Sequence, residues 1–175
     1  MPETSSISNS SNSSNSSNSS NFVLREATIE DMQDMLRIGR EFYESIELNR
    51  WIPFEPVSAE LHFRRMIAGD GAMILLALRD GLIVGGIGGM LSLCPYNDDH
   101  IIGTESFWFI SREHRGSGSL AIRLVKALEQ WMDERGATVK VFASMRTLNF
   151  EQVTRVYEKR GYSCLEEHWA KGKEE

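Results

Sequence analysis

Apolar residues change their spacing along this chain, and the changes mark out alternating strands and helices. Ile29, Met32, Met35, Leu36, Gly39, Phe42 and Ile46 recur at the three- to four-residue spacing of one helix face, predicting a helix over 29–47. Thr28, with an acid three residues on, reads as its N-cap. A short strand over 22–26 precedes it. Ser58 is the expected cap of a second helix running to residue 68, stopped by Gly69, Asp70 and Gly71. An apolar strand over 72–78 meets a tight turn at Asp80 and Gly81, and a strand over 82–93 returns. A polar loop over 94–100 leads to a strand over 101–110. Leu120, Leu124, Leu128 and Trp131 then share one face of a helix over 117–135, which Gly136 ends. A strand over 138–143, a helix over 150–160 and a last strand over 162–169 follow. The order predicts an α/β (α+β) fold: a mixed central sheet of about six strands, helices on both faces, and a right-handed β-α-β crossover in its second half.

Composition changes this picture at the N-terminus. Residues 5–21 are nearly all Ser and Asn, and such a segment cannot bury enough apolar surface to offset its ordering entropy. Residues 1–21 are therefore expected to be a disordered tail and 22–175 a single domain. The repeated Asn-Ser-Ser matches the glycosylation sequon, as at Asn9, but no apolar signal segment stands before it. A net charge of −6 argues against a general nucleic-acid binder, and no apolar run is long enough for a membrane span. The two cysteines, Cys94 and Cys164, fit no metal spacing and read as reduced thiols of a cytoplasmic protein.

The stretch from Trp108 to Leu120 carries the most chemistry. A strand ends, a basic loop with two glycines turns, and a helix begins. The unpaired N–H groups and positive dipole end of that helix form an anion site. Gly116 and Gly118 let the backbone approach a ligand, while Arg112 and Arg115 add positive charge. The competing reading is an ordinary strand-to-helix turn. Gly85, Gly86, Gly88 and Gly89 lie inside a strand with no helix start behind them, so they read as a bulge or a close backbone approach.

Three segments in order resemble the GNAT superfamily of N-acetyltransferases: the turn from Arg79 to Gly85, the loop Arg115, Gly116, Ser117, Gly118, Ser119 and Leu120, and Asn149 followed by the run from Val156 to Tyr162. Leu120 stands where the family pattern has a small residue, and Ala121 would take that role after a one-residue insertion. The resemblance implies a GNAT-like sheet and acetyl-CoA as co-substrate, with no metal. It places the pyrophosphate on residues 115–120 and the pantetheine arm along Trp108, Phe109 and Ile110, with Asn149 also toward the cofactor. It implies acetyl transfer to a primary amine, on a small molecule or a protein, by direct attack on the thioester. A non-catalytic acyl-CoA-binding module on the same fold is the alternative.

That reaction needs a base for the ammonium, a donor for the oxyanion and a proton for the leaving thiolate. Tyr157 matches the family's general acid, against the reading of a core aromatic. A backbone N–H at Trp108 or Ile110 is the expected oxyanion donor. Glu105, alone among acids in an otherwise apolar strand segment, is the candidate base; a bulge would decide which face it takes, and an exposed strand start is its plain alternative. His100 and His114 are weaker candidates. Phe42, Tyr43, Trp51 and Phe54 are expected to wall the acceptor site. Glu41, Glu44 and Glu47 either attract a cation there or form a solvated helix face. The chain has little room for a further strand after Trp169, so one wall is open, missing or supplied by a partner subunit, as in a homodimer.

Overall fold

The computed structural model describes residues 22–115 and 118–173. The Ser/Asn tail and the loop positions Gly116 and Ser117 lie outside the described residues. Among the described residues, five strands form one mixed sheet in sequential order: β1 (Val23–Glu26), β2 (Ala72–Arg79), β3 (Leu82–Cys94), β4 (Asn97–Ile110) and β5 (Ala137–Val141). β1 to β4 pair antiparallel, and β5 joins β4 in parallel after a helical crossover. Four helices flank the sheet: α1 (Met32–Glu44), α2 (Pro56–Ala68), α3 (Gly118–Glu134) and α4 (Phe150–Lys159).

Two cores lie on the two sheet faces. Leu120, Leu124, Val125, Leu128 and Met132 of α3 are fully buried against Ile87 and Ala77. Met35, Met66, Ile74 and Leu76 are buried beneath α1 and α2. Each fully buried leucine or isoleucine contributes roughly 2 kcal/mol. The strand glycines make these contacts possible. A Cβ on Gly89 would stand 2.8 Å from Leu128 Cδ1, and one on Gly88 would stand 2.5 Å from the Phe107 ring.

Several expectations change in detail. The sheet has five strands rather than about six, because residues 163–173 form no strand. They pair instead through single side chains: Arg146 reaches Glu167 at 2.7 Å, and Gly172 packs on the Trp51 indole. The polar segment 94–100 is no loop; β3 and β4 continue through it as a long hairpin around a tight turn. Its residues are polar because both faces there meet solvent. α2 begins at Pro56, not after Ser58. Glu55 is its cap, accepting from the N–H groups of Val57 (3.2 Å) and Ser58 (2.7 Å), while proline suits the first helical position. α1 starts at Met32 after a 3-10 turn over Ile29–Asp31. The Asp80–Gly81 turn has positive φ at both residues, 51° and 80°, as a two-residue hairpin requires.

Candidate active site

The site begins where β5 leaves β4. Between Ile101 and Thr104, β4 is paired on both edges, to β3 and to β5. From Glu105 onward only β3 remains beside it. Ser111 donates its N–H to Val84 O at 2.9 Å, so residues 109 and 111 turn their backbone groups toward β3. By alternation, Trp108 and Ile110 turn theirs toward the side β5 has vacated. Phe109 therefore spends its N–H and C=O on Gly86 of β3. Of Trp108, Phe109 and Ile110, only Trp108 and Ile110 turn backbone groups toward the vacated side.

A β-bulge sets the face of Glu105. Gly88 pairs with Phe107 but Gly89 pairs with Glu105, leaving Ser106 as the extra residue. Without it, Glu105 would share a face with Phe107 and Phe109, beneath α1 and α2. With it, Glu105 shares the α3 and α4 face with Trp108 and Ile110, which pack into the α3 core. Tyr157 of α4 is buried on that same face.

Both candidate side chains converge on one residue. The Tyr157 hydroxyl donates to the carbonyl of Ala143 at 3.1 Å, and the N–H of Ala143 donates to Glu105 Oε2 at 3.1 Å. Burial pushes the Glu105 carboxyl up to about 7, only partly opposed by the Ala143 N–H. Burial also raises the Tyr157 phenol well above its ordinary value, with the nearby Glu105 charge adding to the effect. At neutral pH the site thus holds a carboxyl able to take a proton and a phenol that keeps its own.

The Trp108 indole Nε1 is buried and has no hydrogen-bond partner among the described residues. Its ring lies 6.3 Å from that of Tyr157. Separately, the backbone N–H groups of Trp108 and Ile110 point to the edge that β5 has vacated. The first turn of α3 adds the N–H groups of Gly118, Ser119 and Leu120. The Leu120 side chain is wholly buried in the core, so only its backbone can meet a ligand. Arg115 folds back, its Nε donating to Ile110 O at 2.8 Å, which puts its guanidinium at the junction of strand and helix. Asn149 is the exposed N-cap of α4 in the left-handed conformation (φ 50°), and its side chain makes no capping bond.

The other candidates fall elsewhere. His100 meets Thr138 Oγ1 at 3.1 Å, five strand positions from Glu105 or roughly 16 Å along β4. His114 meets Ser111 Oγ at 2.8 Å in the turn after β4. On the α1 and α2 face, the rings of Phe42, Phe109 and Phe107 follow one another at 6.4 Å, and Tyr43 meets Phe54 at 5.8 Å. Glu41 and Glu47 spend their charge on Arg37 (3.6 Å) and Arg50 (3.3 Å) at the exposed surface. Among the described residues, no cluster of His, Cys, Asp and Glu could hold a metal ion, and no helix is long and apolar enough to cross a membrane. Ala143 had no sequence signal, because its part is played by its backbone. Ser106 had a faint one, as a polar residue inside an apolar run.

Comparison with known proteins bears on the family and the fold. The family model for the acetyltransferase (GNAT) family matches residues 33–162. No curated protein matches the chain. A transcriptional regulator from Bacillus halodurans is similar in structure with a TM-score of 0.72 at 18% identity, covering 87% of this chain and 100% of its own. An aminoglycoside acetyltransferase from an uncultured soil metagenomic sample gives 0.69 at 20% identity, with 88% and 99% covered. A predicted acetyltransferase from Clostridium acetobutylicum, solved with acetyl-CoA, gives 0.69 at 16% identity, with 86% and 96% covered. At these identities the neighbours speak for the fold, and the family match spans most of the domain: the chain belongs to the GNAT acetyltransferase family.

Proposed function

We propose that the protein is an acetyl-CoA-dependent N-acetyltransferase acting on a primary amine by direct attack. The observation that carries this reading is the meeting of Glu105 and Tyr157 at Ala143, beside the edge of β4 that β5 has left. Acetyl-CoA would supply a thioester whose C–S bond breaks as the N–C bond forms. Trp108 and Ile110 would receive the pantetheine arm on their outward backbone groups. The first-turn N–H groups of α3 and the Arg115 guanidinium would hold the pyrophosphate. The outward N–H groups of Trp108 and Ile110 fit this role, because no strand lies beside that edge of β4 beyond Thr104 among the described residues.

Glu105 takes the proton from the ammonium, directly or through one water. A backbone N–H of Trp108 or Ile110 faces the charge that develops on the carbonyl oxygen. The Tyr157 hydroxyl releases the Ala143 carbonyl and gives its proton to the departing sulfur. The acceptor would enter along Phe42, Phe109 and Tyr43 on the α1 and α2 side and reach Glu105, on the other face, through the gap where β5 has left β4. Cys94 and Cys164 are both free, which suits a reducing compartment, and we assign the protein to the cytoplasm on that ground.

The test is release of free CoA from acetyl-CoA across a panel of aminoglycosides, polyamines, amino acids and peptides, with Tyr157→Phe alongside. Amine-dependent release that falls in the variant supports the reading. Tight acetyl-CoA binding without release from any amine favours the non-catalytic acyl-CoA module.

A further inference from the structure

We infer that Glu129, on α3, is a positioning residue that holds Tyr157 in register with Ala143 by clamping the far end of α4. The inference rests on the catalytic reading of Tyr157 above. It starts from how α4 ends. Gly161 takes φ +87° and donates its N–H to Glu158 O at 3.0 Å, while Tyr162 donates its N–H to Tyr157 O at 3.1 Å. This pair of bonds is a Schellman cap, and such a cap brings the residue after the glycine back over the third residue from the helix end. Here those two residues are Tyr162 and Tyr157, and their rings lie 5.6 Å apart. Phe142 closes the cluster, 5.3 Å from Tyr162 and 5.7 Å from Tyr157.

The cap is then tied to α3 by one carboxylate. Glu129 Oε1 accepts from Arg160 Nε at 2.9 Å and from the Tyr162 hydroxyl at 2.9 Å, and Oε2 accepts from Arg160 Nη2. Glu129 thus grips the residues on both sides of Gly161, with its side chain only 13% exposed. The Arg160 N–H in turn donates to Tyr157 O at 2.9 Å. Both N–H groups that bond the Tyr157 carbonyl thus belong to residues that Glu129 holds. Ring packing alone is nondirectional and tolerates sliding. Two donors on one carboxylate fix both distance and rotation. A displacement near 1 Å is enough to cost up to about 100-fold in rate when a proton donor must meet a reacting atom.

The experiment measures kcat and the KM for acetyl-CoA for Glu129→Ala, Glu129→Gln and Tyr162→Phe, with the acceptor found most active. Each substitution is made in the natural chain and in the Tyr157→Phe background. The expected result for Glu129→Ala is a loss of about tenfold in kcat with KM within about twofold, partly restored in Glu129→Gln, which keeps an acceptor for Tyr162. In the Tyr157→Phe background the same changes leave the residual rate unaltered, since a residue acting through Tyr157 has nothing left to position. Equal losses in both backgrounds, or unchanged kcat in the natural chain, overturn the clamp. Should Glu129→Ala fail to fold, Tyr162→Phe carries the test, because it removes one hydroxyl and keeps the ring. Wild-type kcat in Tyr157→Phe alone sinks the acid role of Tyr157 itself, whereas a loss there with additive Glu129 effects sinks only the clamp.

Discussion

Two carboxylates in this molecule make an instructive pair: Asp31, at the corner where β1 meets α1, and Glu105, where β4 and β5 part. Each accepts a backbone N–H, from Thr28 at 2.8 Å and from Ala143 at 3.1 Å. Asp31 also receives both prongs of Arg25 at 2.7 Å, and this guanidinium holds its carboxyl down at about 2. Glu105 has no cation paired with it among the described residues, and burial raises it to about 7. One backbone donor does not offset the cost of desolvating a carboxylate; a counter-charge does. The corner uses a charge to anchor a helix start. At the splay the counter-charge is withheld, which leaves a group whose proton is exchangeable near neutral pH.

Changing Glu105 breaks the contrast most strongly. Glu105→Gln is expected to lower kcat/KM on the order of 10³-fold, since general bases contribute at this scale. Glu105 accepts a proton only when ionised, so activity should climb as pH rises through about 7 and level off above it. The glutamine variant should lose that limb in a pH–rate profile. Tyr157→Phe should cost on the order of 10²-fold in kcat, with acetyl-CoA affinity by calorimetry nearly intact. Equal loss of both would make Tyr157 structural.

Stability offers the smaller effects, with opposite signs at the two sites. The native state holds the Glu105 proton more tightly than the unfolded chain does. Stability from this group is therefore full below about 4.5 and falls as pH rises through about 7. Glu105→Gln should gain about 3 kcal/mol relative to the natural chain between pH 4 and pH 8, read by urea denaturation. For Asp31 the folded value is depressed, so its contribution is present above about 3.8 and lost as pH falls toward 2. Arg25→Ala should cost about 1 kcal/mol at pH 7, because Arg25 is 40% exposed, and the difference should shrink toward pH 2.

Much of this was legible in the sequence where a signal is local. Alternating and helical periodicities located the five strands and four α-helices among the described residues, and Asp80–Gly81 located its hairpin. Tyr157 and Glu105 stood out as chemistry-bearing types in apolar surroundings. What escaped depends on partners distant in sequence. The hairpin across 94–100 is polar because no helix covers it, so periodicity reports a loop. Residues 162–169 have strand-like composition but join no strand of the sheet. Glu55 rather than Ser58 caps α2 because Pro56 already suits the first helical position. The side on which Glu105 emerges depends on whether Ser106 is bulged, a question of register against Gly88 and Gly89 rather than of composition. Glu129 looks like any surface acid of an amphipathic helix until Arg160 and Tyr162 are seen folding back onto it.

The central claim is that the splay leaves Glu105 with its proton exchanging near neutrality. The most direct measurement is an NMR titration of the Glu105 side-chain carboxyl in 13C-labelled protein, assigned by comparison with Glu105→Gln. The account predicts a midpoint near 7. A midpoint near the ordinary glutamate value of about 4.3 would contradict it, and would leave the site without the base that amine activation at neutral pH requires.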